Sequence, residues 1–222
     1  MQYLVYLLML AIPAAAQMYV TSTYNKYSKV GAKCSLTGYD MAKKILENNG
    51  LGNLYIVETE GTLTDHYDPT RKTVKLSHTI YADKSIASIA VAAHECGHAI
   101  QAKEAYNLLR VRSRIVPVVN FSTKIAYVVL MIGLALEMSD LLLTGVLLVG
   151  TSLVFQLVTL PVEIDASRRA LNEMEKCGVL SSDTDGVKVM LRAAALTYVA
   201  AVITSALEVF RLLIMFGGKR RR

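Results

Sequence analysis

The chain has 222 residues, of which 53% are hydrophobic, and its mean hydropathy is +0.38. A soluble domain of this size must cover itself with polar side chains, so these values exclude an ordinary soluble globule and put part of the surface in lipid. The formal net charge of +6 does not point to nucleic acid, because the basic residues sit beside apolar spans and at the C-terminal end rather than in a stripe interleaved with aromatics.

Cys34, Cys96 and Cys177 are odd in number, widely spaced and form no CxxC. Neither a disulfide framework nor a thiolate zinc site is indicated, and reduced, packed thiols are expected.

In chain order, residues 1–20 read as an N-terminal membrane anchor, with no charge before Lys26. Ala14-Ala15-Ala16 has the small-residue look of a cleavage site, but no Lys or Arg precedes it, which favours an uncleaved anchor. Residues 21–115 form a polar α+β part. Thr37-Gly38-Tyr39-Asp40 has capping-box spacing, Met41, Ile45 and Leu46 give one apolar face, and Gly50 is a natural stop, which predicts a short amphipathic helix. The β-rich runs 54–57 and 73–76, with a turn at Asp68-Pro69, predict a small antiparallel sheet. Asp83 or Ser85 can cap a helix rich in Ile and Ala from 86 to about 106.

Residues 116–162 predict a transmembrane hairpin, with apolar spans at 116–136 and 141–160 joined by Glu137-Met138-Ser139-Asp140. A region at 163–192 follows, then an apolar segment at 193–222 that ends in a basic tail. Glu208 and Arg211 can pair on one face of that last segment. The basic flanks Lys26, Lys29, Lys33, Arg110, Arg112, Arg114, Arg168 and Arg169 place the polar parts on the cytoplasmic side of the cell membrane. By the same rule, Lys219-Arg220-Arg221-Arg222 argues against full crossing by the final segment. The whole reads as one integrated multi-pass unit in contact with the bilayer, and its oligomeric state is not legible.

The chemistry lies in His94-Glu95-Cys96-Gly97-His98, inside the 86–106 helix. Residues four apart share a helix face, so His94 and His98 can direct two imidazole nitrogens at one zinc ion per chain. Glu95 is about 100° around the helix, beside the ion, where it can act as general base toward zinc-activated water. Gly97 can admit another backbone close to the site. A catalytic zinc needs a third protein ligand. His66 and His78 fall in turn and strand-end segments, so Glu163 and Asp165, just past the hairpin, are the better candidates. Both can instead pair with Arg168 and Arg169.

The segments Tyr24-Asn25-Lys26-Tyr27-Ser28-Lys29, Leu63-Thr64-Asp65-His66-Tyr67-Asp68-Pro69, 92–101 around the two histidines, and 161–170 around Glu163 resemble the YugP-like neutral zinc metallopeptidases, membrane proteins of the gluzincin kind. That resemblance implies a mainly α membrane protein with a small zincin-like cytoplasmic part and peptide-bond hydrolysis. It further implies that His94, His98 and Glu163 are the zinc ligands and Glu95 the catalyst. Asp165 is a candidate supporting residue, and His66, Tyr67 and Arg168 are candidates for steadying an oxyanion. The more distant HtpX-like membrane peptidases carry an Asp where this chain has Ser167, so their supporting arrangement need not carry over. The expected function is a membrane-bound endopeptidase acting on protein or peptide substrates near the bilayer. The rival readings are a non-catalytic membrane scaffold with a structural or vestigial zinc site and, on weaker grounds, an intramembrane protease.

Overall fold

The structure, a computed structural model, describes residues 2–217, so the tail bearing Lys219, Arg220, Arg221 and Arg222 lies outside the described residues. The elements in order are α1 (Gln2–Tyr27), α2 (Gly38–Asn48), β1 (Tyr55–Thr59), β2 (His66–Asp68), β3 (Thr73–Ser77), α3 (His78–Ala82), α4 (Ile86–Lys103), α5 (Asn107–Ala135), α6 (Ser139–Lys176) and α7 (Leu180–Gly217). The chain divides into two compact units. One takes the described residues of 1–16, 107–161 and 197–222, and the other takes 17–106 and 162–196.

The second unit holds the polar chemistry. The α2 helix starts as its sequence dictates: the Thr37 hydroxyl accepts from the Asp40 amide at 3.0 Å, and the Asp40 carboxylate accepts from the Thr37 amide at 3.0 Å. Its apolar stripe of Met41, Ala42, Ile45 and Leu46 is buried against a core that includes Val74, Leu76, Ile80, Ile89, Ala93 and Cys96. Burying each large aliphatic side chain in such a core contributes on the order of 1.5–3 kcal/mol. The Ser85 hydroxyl caps α4 by accepting from the Ser88 amide at 3.0 Å. The α4 helix stops at Lys103, short of 106, because Ala105 turns left-handed at φ 57°.

The sheet corrects the expected topology: it is mixed, in the order β1-β3-β2. The β1 strand runs parallel to β3, with Tyr55 opposite Thr73, while β2 runs antiparallel, with Tyr67 opposite Val74. Segment 60–72 supplies the crossover length that a parallel pair needs. Within it, the Asp68 carboxylate accepts from the amides of Thr70 and Arg71 at 3.0 and 3.1 Å, closing the turn that reverses the chain into β3. At three residues, β2 is too short to show alternation, which is why His66 reads as turn in the sequence and is strand in the structure.

The first unit is helical and, apart from a small buried cluster of Ala126, Leu130, Leu142, Val146, Val149 and Leu212, carries many apolar side chains on its surface. Leu7, Leu10, Phe121, Met131, Leu147, Val154 and Phe210 are all exposed. Helices apolar on every side need a surrounding apolar medium. Four helices among the described residues are long and apolar enough to cross a membrane: Tyr3–Tyr27, Asn107–Ala135, Ser139–Lys176 and Asp183–Phe216. The last is a single uninterrupted helix, so length and composition permit a crossing there. Two of its charges meet neighbours: Arg211 lies 3.3 Å from Glu208 and donates to the Tyr6 hydroxyl at 2.8 Å, and the Tyr127 hydroxyl donates to Glu208 at 3.1 Å.

Candidate metal centre

The α4 helix stacks His94 and His98 one turn apart, with ring centroids 4.9 Å apart and ring planes at 83°. The residue between them that decides the site is Gly97. A Cβ there would meet the Ala166 carbonyl oxygen at 2.4 Å and the Ala166 carbonyl carbon at 3.1 Å, so only glycine lets the 162–176 stretch of α6 lie this close. That approach delivers Glu163, whose side chain is 2% exposed and whose Oε2 lies 3.3 Å from His94 Nε2 and 3.4 Å from His98 Nε2. The ligand atoms of His94, His98 and Glu163 all lie within 4.8 Å of one another.

Each ring is held from behind. The Ser167 hydroxyl bonds His94 Nδ1 at 3.2 Å, and the Gln101 amide oxygen bonds His98 Nδ1 at 3.0 Å, which turns both Nε2 atoms toward Glu163. Burial disfavours the His98 cation, but the hydrogen bond it donates to Glu163 and the negative charges of Glu95 and Glu163 more than offset it, so the His98 pKa is raised. Glu95, 7% exposed, makes no side-chain hydrogen bond among the described residues. Its carboxylate oxygens keep access to solvent, and their negative charge acts on His98. Two nitrogens and a carboxylate oxygen converging in a buried position are donors that zinc accepts.

The other sequence candidates fall elsewhere. Asp165 accepts from Arg168 and Arg169, each at 2.5 Å, and from the Gln101 amide nitrogen at 2.9 Å. It reaches His98 only through Gln101 and also makes the ion pairs its neighbours suggest. Arg168 is thereby engaged with Asp165, Tyr67 packs against the core, and His66 is exposed with its Nδ1 2.8 Å from the Thr64 carbonyl. His78 pairs with Glu58 at 2.6 Å. Cys96 is buried within the core, with its thiol 3.7 Å from the Ala42 carbonyl, and burial pushes that thiol's pKa well up.

Sequence reasoning missed Gln101 and passed over Ser167 as a partner for His94. The available signal for Gln101 was its position three residues after His98, on the same helix face, in a run otherwise built of small and apolar side chains. For Ser167 it was the four-residue spacing from Glu163.

A family model described as "Putative neutral zinc metallopeptidase" matches residues 2–217. The chain is similar to the protein named "Putative membrane protease YugP" of Bacillus subtilis (strain 168), with 44% identity over 206 residues that cover 92% of each chain. No solved structure matches. With a near full-length family match, a relative this similar, and two histidines and a glutamate gathered at one buried point, the chain belongs to the neutral zinc metallopeptidase family.

Proposed function

We propose that the chain is a membrane-bound, zinc-dependent endopeptidase in which His94, His98 and Glu163 hold one zinc ion and Glu95 is the general base. The observation that carries this reading is the convergence of the three donor atoms within 4.8 Å, with the unpartnered Glu95 carboxylate next to one of them in sequence. Among the described residues no fourth His, Cys, Asp or Glu joins the three, which favours a catalytic site with an open position over a closed structural one. A bound zinc ion supplies Lewis acidity toward the peptide carbonyl and toward water.

Glu95 takes a proton from the attacking water as its oxygen bonds to the peptide carbon, and delivers that proton to the leaving amine nitrogen as the C–N bond breaks. Asp165 acts only through Gln101. The chain works as one integrated unit, with its site on the cytoplasmic face of the cell membrane and substrates that are membrane proteins or segments near the bilayer.

The test is Glu95→Gln, which should keep zinc and lose about 10²–10⁴-fold in peptide cleavage, whereas His94→Ala should lose both. Full cleavage by the Gln variant would refute the role of Glu95. For sidedness, a cysteine replacing exposed Lys43 should resist an impermeant thiol reagent added to intact cells, and labelling from outside overturns the cytoplasmic placement.

A further inference from the structure

We propose that Gln101 is a positioning residue that fixes His98 in the tautomer whose Nε2 offers a bare lone pair to the metal. The inference rests on His94, His98 and Glu163 being the ligand set, and it identifies what orients one of them.

Gln101 is fully buried on α4, three residues past His98. Its amide nitrogen donates to the Val162 carbonyl at 2.8 Å and to Asp165 Oδ2 at 2.9 Å. Neither of those groups can donate back. One is a carbonyl, and the other is a carboxylate already accepting from Arg168 and Arg169. The amide therefore has one satisfactory orientation, and in it the oxygen faces His98 Nδ1 at 3.0 Å.

An amide oxygen only accepts, so Nδ1 carries the proton, and in the neutral ring Nε2 is bare. That bare nitrogen lies 3.4 Å from Glu163 Oε2. Two acceptors facing one another in a buried site are reconciled by a cation that both can bind. Flipping the amide would leave its NH₂ and two acceptors unmatched away from water, so the orientation resists change. The Ser167 hydroxyl at His94 can donate or accept and imposes no such choice. The relay Arg169, Asp165, Gln101, His98 thus carries orientation from the 162–176 stretch of α6 into the zinc helix.

The experiment uses the full-length chain in detergent micelles, with nitrogen-15 in the histidine side chains. The His98 tautomer is read from its ring nitrogen shifts in metal-free alkaline buffer, and zinc affinity by competition with a chromophoric chelator. Native protein should show Nδ1–H at His98. Gln101→Met, which keeps the volume and removes both polar atoms, should lose that preference and bind zinc about 10–100-fold more weakly. Gln101→Glu, which keeps an acceptor oxygen toward Nδ1, should retain the tautomer. Native protein with Nε2–H at His98, or Gln101→Met with native tautomer and affinity, overturns the proposal. If the Met variant does not fold, the native tautomer decides alone. Native protein that binds no zinc sinks the ligand-set reading and this one with it, whereas binding that Gln101→Met leaves unchanged sinks only the Gln101 assignment.

Discussion

Replacing Gly97 by alanine tests whether the close approach of α4 and the 162–176 stretch of α6 builds the metal site. The new Cβ would sit 2.4 Å from the Ala166 carbonyl oxygen, 3.1 Å from its carbonyl carbon and 3.2 Å from its Cα. All three are backbone atoms of a helix and cannot rotate away. Restoring ordinary contact requires the two segments to part by about 1 Å. Two stability terms then oppose one another. Overpacking costs about 1–3 kcal/mol, and alanine regains roughly 1 kcal/mol of helix propensity over glycine, so the net loss should be about 0–2 kcal/mol. For a chain of this size that lowers the thermal midpoint by only a few degrees, at about 2–4 °C per kcal/mol.

The effect on zinc should be far larger. Zinc bonds to imidazole nitrogen and carboxylate oxygen are about 2.0–2.2 Å long and tolerate about 0.2 Å. A 1 Å displacement of Glu163 is several times that tolerance, so zinc should bind at least tenfold more weakly. Thermal unfolding of the metal-free protein and chelator competition measure the two effects separately. A Gly97→Ala protein with native zinc affinity would refute the argument, whatever its midpoint.

Three further outcomes are expected. Because the His98 pKa is raised and zinc needs its ring neutral, zinc affinity should be full above that pKa and fall as pH drops through it. Metal-free stability should move oppositely, with the contribution of protonated His98 present at low pH and lost as pH rises through the folded-state pKa; melting curves across pH with and without zinc show whether the slopes oppose, and parallel slopes count against the site. Thr37→Ala should cost about 1 kcal/mol by removing the α2 cap. Hydrogen bonds from Thr37 hold the Asp40 carboxyl below its usual range, so that cap's contribution is present above the ordinary carboxylate pKa and fades as pH falls through the lowered one. In the first unit, Arg211→Leu alone should destabilise the helices more than Arg211→Leu combined with Glu208→Leu, because the single change strands a carboxylate. Steric-trapping measurements in bicelles give the order, and a double variant weaker than both singles contradicts it.

Local chemistry was legible where one segment determines it. The capping box at Thr37 and Asp40, the Ser85 cap, the apolar stripe of α2 and the hairpin helices all follow from spacing and composition. What could not be read depended on distant parts meeting. The parallel pairing of β1 with β3 depends on a three-residue strand whose pattern is too short to detect. Gln101 acquires its partners only when Val162 and Asp165 arrive beside it. The sequence offered Gly97 as a possible close approach, but nothing local says that Ala166 is what approaches.

The choice between Glu163 and Asp165 shows what geometry adds. At about 100° per residue, a helix places Asp165 about 200° around from Glu163, so the two carboxylates cannot serve one point from the same face. The face of α6 toward α4 is marked by its buried residues Val162, Ala166 and Ala170, with Ala166 against Gly97, while Ile164 on the far side is exposed. Glu163 and Asp165 flank that face on either side of Ala166. One flank carries Glu163 and, four residues on, Ser167, which together meet His94. The other carries Asp165, which meets Gln101 and is steadied by Arg168 and Arg169. A single helix contact centred on one glycine therefore gives the two acidic residues different surroundings, one facing the imidazole nitrogens directly and one holding Gln101, which bonds His98 Nδ1.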